Sequence, residues 1–283
     1  MRQHGLPWEP PVALISGGEC TVTVRGNGHG GRCTEFLLSL AVDLNGADGI
    51  HALADVSTEI PFSGITAIIG PNGAGKTTLL NVVTGFLRPD SGHCFLGGHE
   101  ITGLPPHRIA QLGVARTFQD LRLILQVSVL ENVLLARPRQ RGERLLGAIL
   151  HFGVEQEESR NREEAMQLLQ YVGLDKMASE LAGELSYGQQ KLLTLVCCLA
   201  TEAKVLLLDE PVSGVHPEMA SQILSLLRRL RRKGKVIIFI EHDISAVREV
   251  ADHVMVMDEG KVIAQGTPRD VLERPEIMEA YLA

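Results

Sequence analysis

The run Gly70-Pro71-Asn72-Gly73-Ala74-Gly75-Lys76-Thr77-Thr78 carries the most specific chemistry in the chain. It fits G-x-x-x-x-G-K-[ST], a spacing suited to a polyphosphate. Its glycines let successive backbone N–H groups point inward and let the chain approach an anion closely. Lys76 is placed to reach the β- and γ-phosphates, and the Thr77 hydroxyl to ligate Mg²⁺. A helix starting at Lys76 would turn its N-terminus, worth about +0.5 charge, toward the same anion. The loop alone specifies nucleoside triphosphate binding. Kinases, GTPases and motor ATPases all share it.

Three further groups carry chemistry of their own. The apolar run 205–208 ends in Asp209 and Glu210, followed by Pro211. A carboxylate at a strand tip can hold Mg²⁺ through water, and its neighbour can polarise an attacking water as general base. Alone, the pair reads equally as two ordinary strand-end acids. In Leu185-Ser186-Tyr187-Gly188-Gln189-Gln190, Ser186 caps a helix beginning near Gln189, with the Gly188 amide beside it. That makes a second anion site at a helix N-terminus, or simply a capped helix. His242 follows the apolar run Val236–Ile240 and by itself is a strand-end surface histidine.

These groups need elements to hold them. Residues 37–44 and 54–60 read as strands, the second partly alternating, with a turn at Gly64. Ile65–Ile69 is a short apolar run entering the glycine loop, and 76–87 reads as a helix with Leu79, Leu80, Val83 and Leu87 on one side. Strand, glycine loop and helix in that order open an α/β unit. The middle, about 119–200, is richer in helical periodicity, with Ala165, Leu168, Leu169 and Val172 at i, i+3, i+4 and i+7. The charged stretch 137–164 reads as a solvated surface helix pair. Residues 205–208 and Val236–Ile240 suit strands buried on both faces of a parallel sheet. Between them Pro217 opens a helix and Gly234 closes it. Arg228, Arg229, Arg231, Arg232 and Lys233 crowd that helix's C-terminal end, where cations complement its dipole. Residues 254–257 and 262–264 form a closing hairpin. Residues 1–35, with Pro7, Pro10, Pro11 and seven glycines, read as a weakly structured extension without chemistry.

Composition sets the outer limits. A chain of 283 residues is long enough for a sizeable core and about two domains. With 27 basic and 34 acidic residues the net charge is −7, unlike a dedicated nucleic-acid binder. Apolar residues at 45% exclude disorder throughout, and aromatics at 4% require an aliphatic core. No apolar run approaches the ~18 residues of a membrane span, and the start lacks a secretory pattern, so a cytosolic chain is expected. Cys20, Cys33, Cys94, Cys197 and Cys198 match neither a disulfide framework nor, with His29, a zinc spacing.

Residues 70–78, Gln119 in Arg116-Thr117-Phe118-Gln119, residues 185–190, residues 205–211 and His242 occur in the order of the ATP-binding-cassette (ABC) ATPases, which the chain resembles over about 36–283. The Ser-Tyr-Gly-Gln form of the signature is similar to that of branched-chain amino acid importers. So are the stretch 99–108 and the ending 265–282; urea and amide importers look much alike. The resemblance implies an α/β fold: a P-loop NTPase (RecA-like) core with an antiparallel β subdomain and a helical subdomain at about 119–200. It implies ATP and Mg²⁺, the ion touching Thr77, Gln119 and Asp209. Two cassettes, identical or not, would stack head to tail, each ATP lying between one phosphate loop and the other's Ser186, Tyr187, Gly188 and Gln189. Glu210, His242 and Gln119 would be catalytic. Permease subunits and, indirectly, an extracytoplasmic solute-binding protein are the implied partners, at the cytoplasmic face of the inner membrane, without nucleic acid. The chain departs from the family twice. No aromatic stands near Ala47, where adenine is often stacked, so that stacking is either weak or supplied by another group such as His51. His216 occupies a place where many members have Asp or Asn. A soluble cassette ATPase acting on nucleic acid or ribosomes is the competing class; one phosphate loop and no sustained heptads weigh against it. The presence of Glu210 and His242 weighs against a non-hydrolysing subunit, and a kinase or GTPase has no use for 185–190.

Overall fold

Long aliphatic runs dictate the centre of the molecule. The computed structural model describes residues 53, 56–119, 121–138, 154–275 and 277. Its strands are β1 (Ile65–Ile69), β2 (Phe95–Leu96), β3 (His99–Glu100), β4 (Val114–Arg116), β5 (Val205–Asp209), β6 (Val236–Ile240), β7 (His253–Asp258) and β8 (Lys261–Gly266). Its helices are α1 (Lys76–Val83), α2 (Pro106–Gln111), α3 (Val129–Leu135), α4 (Val154–Val172), α5 (Tyr187–Ala200), α6 (Pro217–Arg232), α7 (Ile244–Val250) and α8 (Pro268–Leu272). The main sheet has the order β4-β5-β6-β1-β7-β8. The first five of these run parallel, and β8 returns antiparallel to β7. β2 and β3 form a separate antiparallel pair.

β1, β5 and β6 are buried along their whole length, as parallel strands covered on both faces must be. Alternate side chains then feed two cores. Ala67, Leu206, Leu208, Ile237, Phe239 and Val254 face the core built with α3 to α8. Ile68, Val205, Leu207, Ile238 and Met255 face the smaller core under α1 and α2. The consequence for function is directional. Every loop leaving the C-terminal end of a parallel strand opens on one edge, the usual ligand edge of such sheets.

Most expected elements are present, with instructive differences. α1 stops at Val83 rather than 87. Gly85, at φ +74°, ends it with the bonds Gly85 N–H to Val82 C=O (3.1 Å) and Phe86 N–H to Asn81 C=O (2.9 Å). Gly234, at φ +79°, ends α6 the same way. α5 starts at Tyr187, two residues before Gln189, because Ser186 is the cap. Residues 56–60 form no strand: Val56 and Ile60 pack on the smaller core without a backbone ladder. The described parts of 137–164 are mostly exposed, as a solvated stretch requires; an exception is Arg137, whose side chain is 9% exposed and pairs with Glu164 of α4 and with Glu202 just past α5. The basic end of α6 is partly neutralised by Arg228–Glu249 (2.6 Å) and Arg231–Asp252 (2.5 Å). The expected extension 1–35, strand 37–44, Ala47, His51 and residues 139–153 lie outside the described residues.

Candidate functional site

The glycine loop leaves β1 at the sheet's centre, and its backbone is held from outside. Gly70 has φ +152°, and a Cβ there would lie 2.0 Å from the Met257 carbonyl oxygen of β7, so only glycine fits. Ala74 C=O accepts from Gly260 N–H at 3.2 Å, tying the loop to the β7–β8 turn. Pro71 is half-buried, whereas Asn72, Gly73 and Thr77 are exposed at the mouth. Gly75 precedes α1 without a side-chain cap, leaving the first amides of the helix uncapped by any side chain. Thr78 is buried beneath. Lys76 is buried too, and its ammonium donates to the carbonyls of Gly70 (2.7 Å) and Pro71 (2.8 Å). Burial draws its pKa below the ordinary lysine value, while the Glu210 and Asp209 carboxylates push the other way.

Asp209 ends β5, two places along the sheet from β1 with β6 between them. Its N–H donates to Thr117 Oγ1 at 3.0 Å, and Arg116 Nη2 stands 3.4 Å from its Oδ2. Burial raises the Asp209 carboxyl above the usual range; the Arg116 guanidinium opposes this. Arg116 also donates to Asn81 Oδ1 (2.7 Å) and Thr84 Oγ1 (3.0 Å), so it fastens α1 to the end of β5. Glu210 follows in the left-handed region, φ +48°, an uncommon place for a side-chain-bearing residue. Its Oε1 meets His242 Nε2 at 3.3 Å. Gln119 lies three residues beyond β4 on the same edge and is exposed.

The second candidate anion site lies elsewhere. Ser186 and Gln189 form a reciprocal cap at the start of α5: Ser186 N–H donates to Gln189 Oε1 (2.9 Å), and Gln189 N–H to Ser186 Oγ (3.4 Å). A Cβ on Gly188 would lie 2.8 Å from Met219 Cγ, so the start of α5 packs close against α6. Ser186, Tyr187 and Gly188 line a shallow cleft of about 400 Å³ together with His216, Glu218 and Met219. The phosphate loop contributes nothing to that cleft. The structure therefore gathers Lys76, Asp209, Glu210, His242 and Gln119 at one sheet edge and leaves Ser186, Tyr187, Gly188 and Gln189 on a separate surface.

Sequence reasoning missed four residues that hold this arrangement: Arg116, Thr117, Lys191 and Glu241. Two carried a signal. Lys191 is a charge in the apolar run of α5, and Glu241 is a charge placed directly after the buried run of β6.

A largely parallel sheet with a glycine loop leaving its central strand, a lysine turned into that loop and a carboxylate at the tip of the next strand but one define a P-loop NTPase of the α/β class. Residues 53–213 match the family model described as ABC transporter, and residues 12–59 match a second described as MOFRL family. Over 236 residues the chain is 37% identical to the high-affinity branched-chain amino acid transport ATP-binding protein BraF of Pseudomonas aeruginosa, covering 83% of this chain and 92% of that one. A probable branched-chain amino acid transport ATP-binding protein LivG of Archaeoglobus fulgidus is 39% identical, covering 83% and 91%. Among solved structures, the ADP conformation of an ATP-binding cassette of an ABC transporter is similar with a TM-score of 0.70 at 35% identity, covering 82% of this chain and 92% of that one. A dimeric post-hydrolysis cassette bound to ADP and phosphate is similar with a TM-score of 0.64 at 25% identity, covering 77% and 90%. The chain belongs to the ABC transporter family and is an ABC ATPase.

Proposed function

We propose that this chain hydrolyses ATP to drive import of branched-chain or related amino acids through a membrane complex. The observation that carries the chemistry is Glu210 meeting His242 at the edge that also holds Lys76 and Asp209. The names of the relatives support the substrate class. The likeness to a dimeric cassette supports a second copy, or near copy, as partner. Among the described residues no helix is long and apolar enough to cross a membrane, so permease subunits would supply the path. We read 36–283 as the cassette, with its helical part at about 119–200, bound to the cytoplasmic side of those permeases. An extracytoplasmic binding protein would deliver the solute, and nucleic acid has no part.

Thr77, Asp209 and Gln119 offer hydroxyl, carboxylate and amide oxygens, the donors Mg²⁺ prefers. The buried Asp209 carboxylate, held against its own desolvation, fits a cation. When bound, that ion neutralises charge on the phosphate oxygens. The rest belongs to the chain. The Lys76 ammonium exchanges the Gly70 and Pro71 carbonyls for β- and γ-phosphate oxygens, and the uncapped amides of α1 add their dipoles. Glu210 takes a proton from the attacking water as its oxygen bonds the γ-phosphorus and the bond to the β–γ bridging oxygen breaks, giving ADP and inorganic phosphate. His242 orients Glu210 and the γ-phosphate. Ser186 and Gly188 of the other cassette close over the same phosphate, aided by Tyr187 and Gln189 in shaping that surface.

In purified protein, Lys76→Ala should weaken ATP binding at least about tenfold. Glu210→Gln should bind ATP as the parent does yet lose about 10²-fold or more in turnover. Equilibrium binding of a fluorescent ATP analogue and phosphate release measure the two. Full turnover in Glu210→Gln would remove Glu210 as the base.

A further inference from the structure

The Glu210 turn is gripped by two buried charges that the mechanism above does not use. Lys191 lies on α5, five residues past Ser186, and is only 7% exposed. Its ammonium donates to the backbone carbonyls of Glu210 (2.5 Å) and Ser213 (2.7 Å), at the two ends of the turn that follows β5. From the other side Glu241, 1% exposed, accepts from Val212 N–H (2.8 Å) within the same turn and from His242 N–H (3.2 Å). Glu210 N–H donates to Ile240 C=O at 3.0 Å.

Burying an ammonium is costly unless it is paired and hydrogen-bonded. A left-handed backbone at a non-glycine residue persists only where its surroundings over-determine it. Here one cost answers the other. With φ at +48°, Glu210 turns its carbonyl into the reach of Lys191 while its carboxylate meets His242. Burial draws the Lys191 pKa below the ordinary lysine value, and the opposite charge of Glu241 opposes this.

Building on the reading of Glu210 as the base, we propose that Lys191 is a positioning residue for catalysis. It fixes the backbone that aims the Glu210 carboxylate and ties that aim to the helix bearing Ser186 and Gly188. A shift of α5 then moves the grip on Glu210 directly. Lys191 acts through two backbone carbonyls.

The test uses the full chain and steady-state hydrolysis of Mg-ATP, with affinity for a fluorescent ATP analogue and thermal unfolding in parallel. Lys191→Met should lower kcat about 10- to 100-fold, the loss expected from misplacing a catalytic group by roughly 1 Å. Nucleotide affinity should stay within about twofold. Lys191→Arg, which keeps donors for both carbonyls, should recover most of the rate. Should Lys191→Met fail to fold, Lys191→Gln keeps one donor and should show the same split between kcat and affinity. A kcat near the parent's in a folded Lys191→Met or Lys191→Gln protein overturns the proposal. So does a loss of affinity that parallels the loss of rate, which would make Lys191 a fold or binding residue. Glu210→Gln in the same assay separates the two ideas: if it still turns over, the reading of the base fails; if it is inactive while Lys191→Met is fast, only the positioning role fails.

Discussion

Burial governs reactivity residue by residue in this molecule. Cys197 and Cys198 sit side by side on α5 among the large core, and burial pushes each thiol up to about 12. The thiolate is the reactive form, so at pH 8 only about one molecule in 10⁴ would present it, before access is counted. Iodoacetamide at pH 8 should therefore leave both unmodified in the folded protein and alkylate both in denaturant, as read by peptide mass spectrometry. Rapid native alkylation of Cys198 would mean that α5 is not packed as described. The sign of the linked stability follows. A thiol whose folded pKa is raised adds stability that is full below its ordinary value of 9.0 and is lost as pH climbs toward about 12. Lys76 and Asp209 show the same desolvation acting in opposite directions on a cation and an acid, at a place where phosphate and a metal ion would relieve both.

Among the elements, α6 shows how far local signals reach. Pro217 at its first turn and Gly234 beyond its end were readable, because each acts within a few residues of itself, and between them Ile223, Leu224, Leu227 and Leu230 are buried. His216 is its cap, with Nδ1 accepting from Glu218 N–H at a long 3.5 Å. A carboxylate there would accept more closely and would complement the helix dipole. His216→Asp should thus stabilise the fold by about 0.5–1 kcal/mol, seen as a higher urea midpoint at unchanged slope. A midpoint at or below the parent's would show that the histidine is already an adequate cap. The phosphate loop and the strands at its sides were legible for the same local reason. Lys191 and Glu241 were not: their partners lie 19 and 29 residues away, and only packing α5 and β6 against the turn creates them. Residues 56–60 failed in the opposite sense. Their alternation is real, and it seats Val56 and Ile60 on the smaller core, but a strand needs a neighbour's backbone as well as a pattern.

At the scale of the whole molecule, one sheet edge bears the reacting groups, whereas the cap of α5 opens on a cleft that the phosphate loop does not line. On the proposed reading, one chain offers two halves of an anion site that do not meet within it. A second copy turned head to tail would bring Ser186 and Gly188 over the partner's γ-phosphate. Charge-assisted hydrogen bonds of roughly 1.5–3 kcal/mol each would then form only while that phosphate is present. ADP lacks these contacts and has no differential affinity with which to favour the closed pair. With hydrolysis blocked, the pair should accumulate. Light scattering on Glu210→Gln protein should therefore report about twice the chain mass in Mg-ATP and a single chain in Mg-ADP, and a bulky cation introduced as Ser186→Arg should abolish the ATP-induced species. If Glu210→Gln binds ATP with parental affinity yet remains one chain at concentrations well above that Kd, the nucleotide site is complete within each subunit, and the separation of the two clefts has no mechanistic meaning.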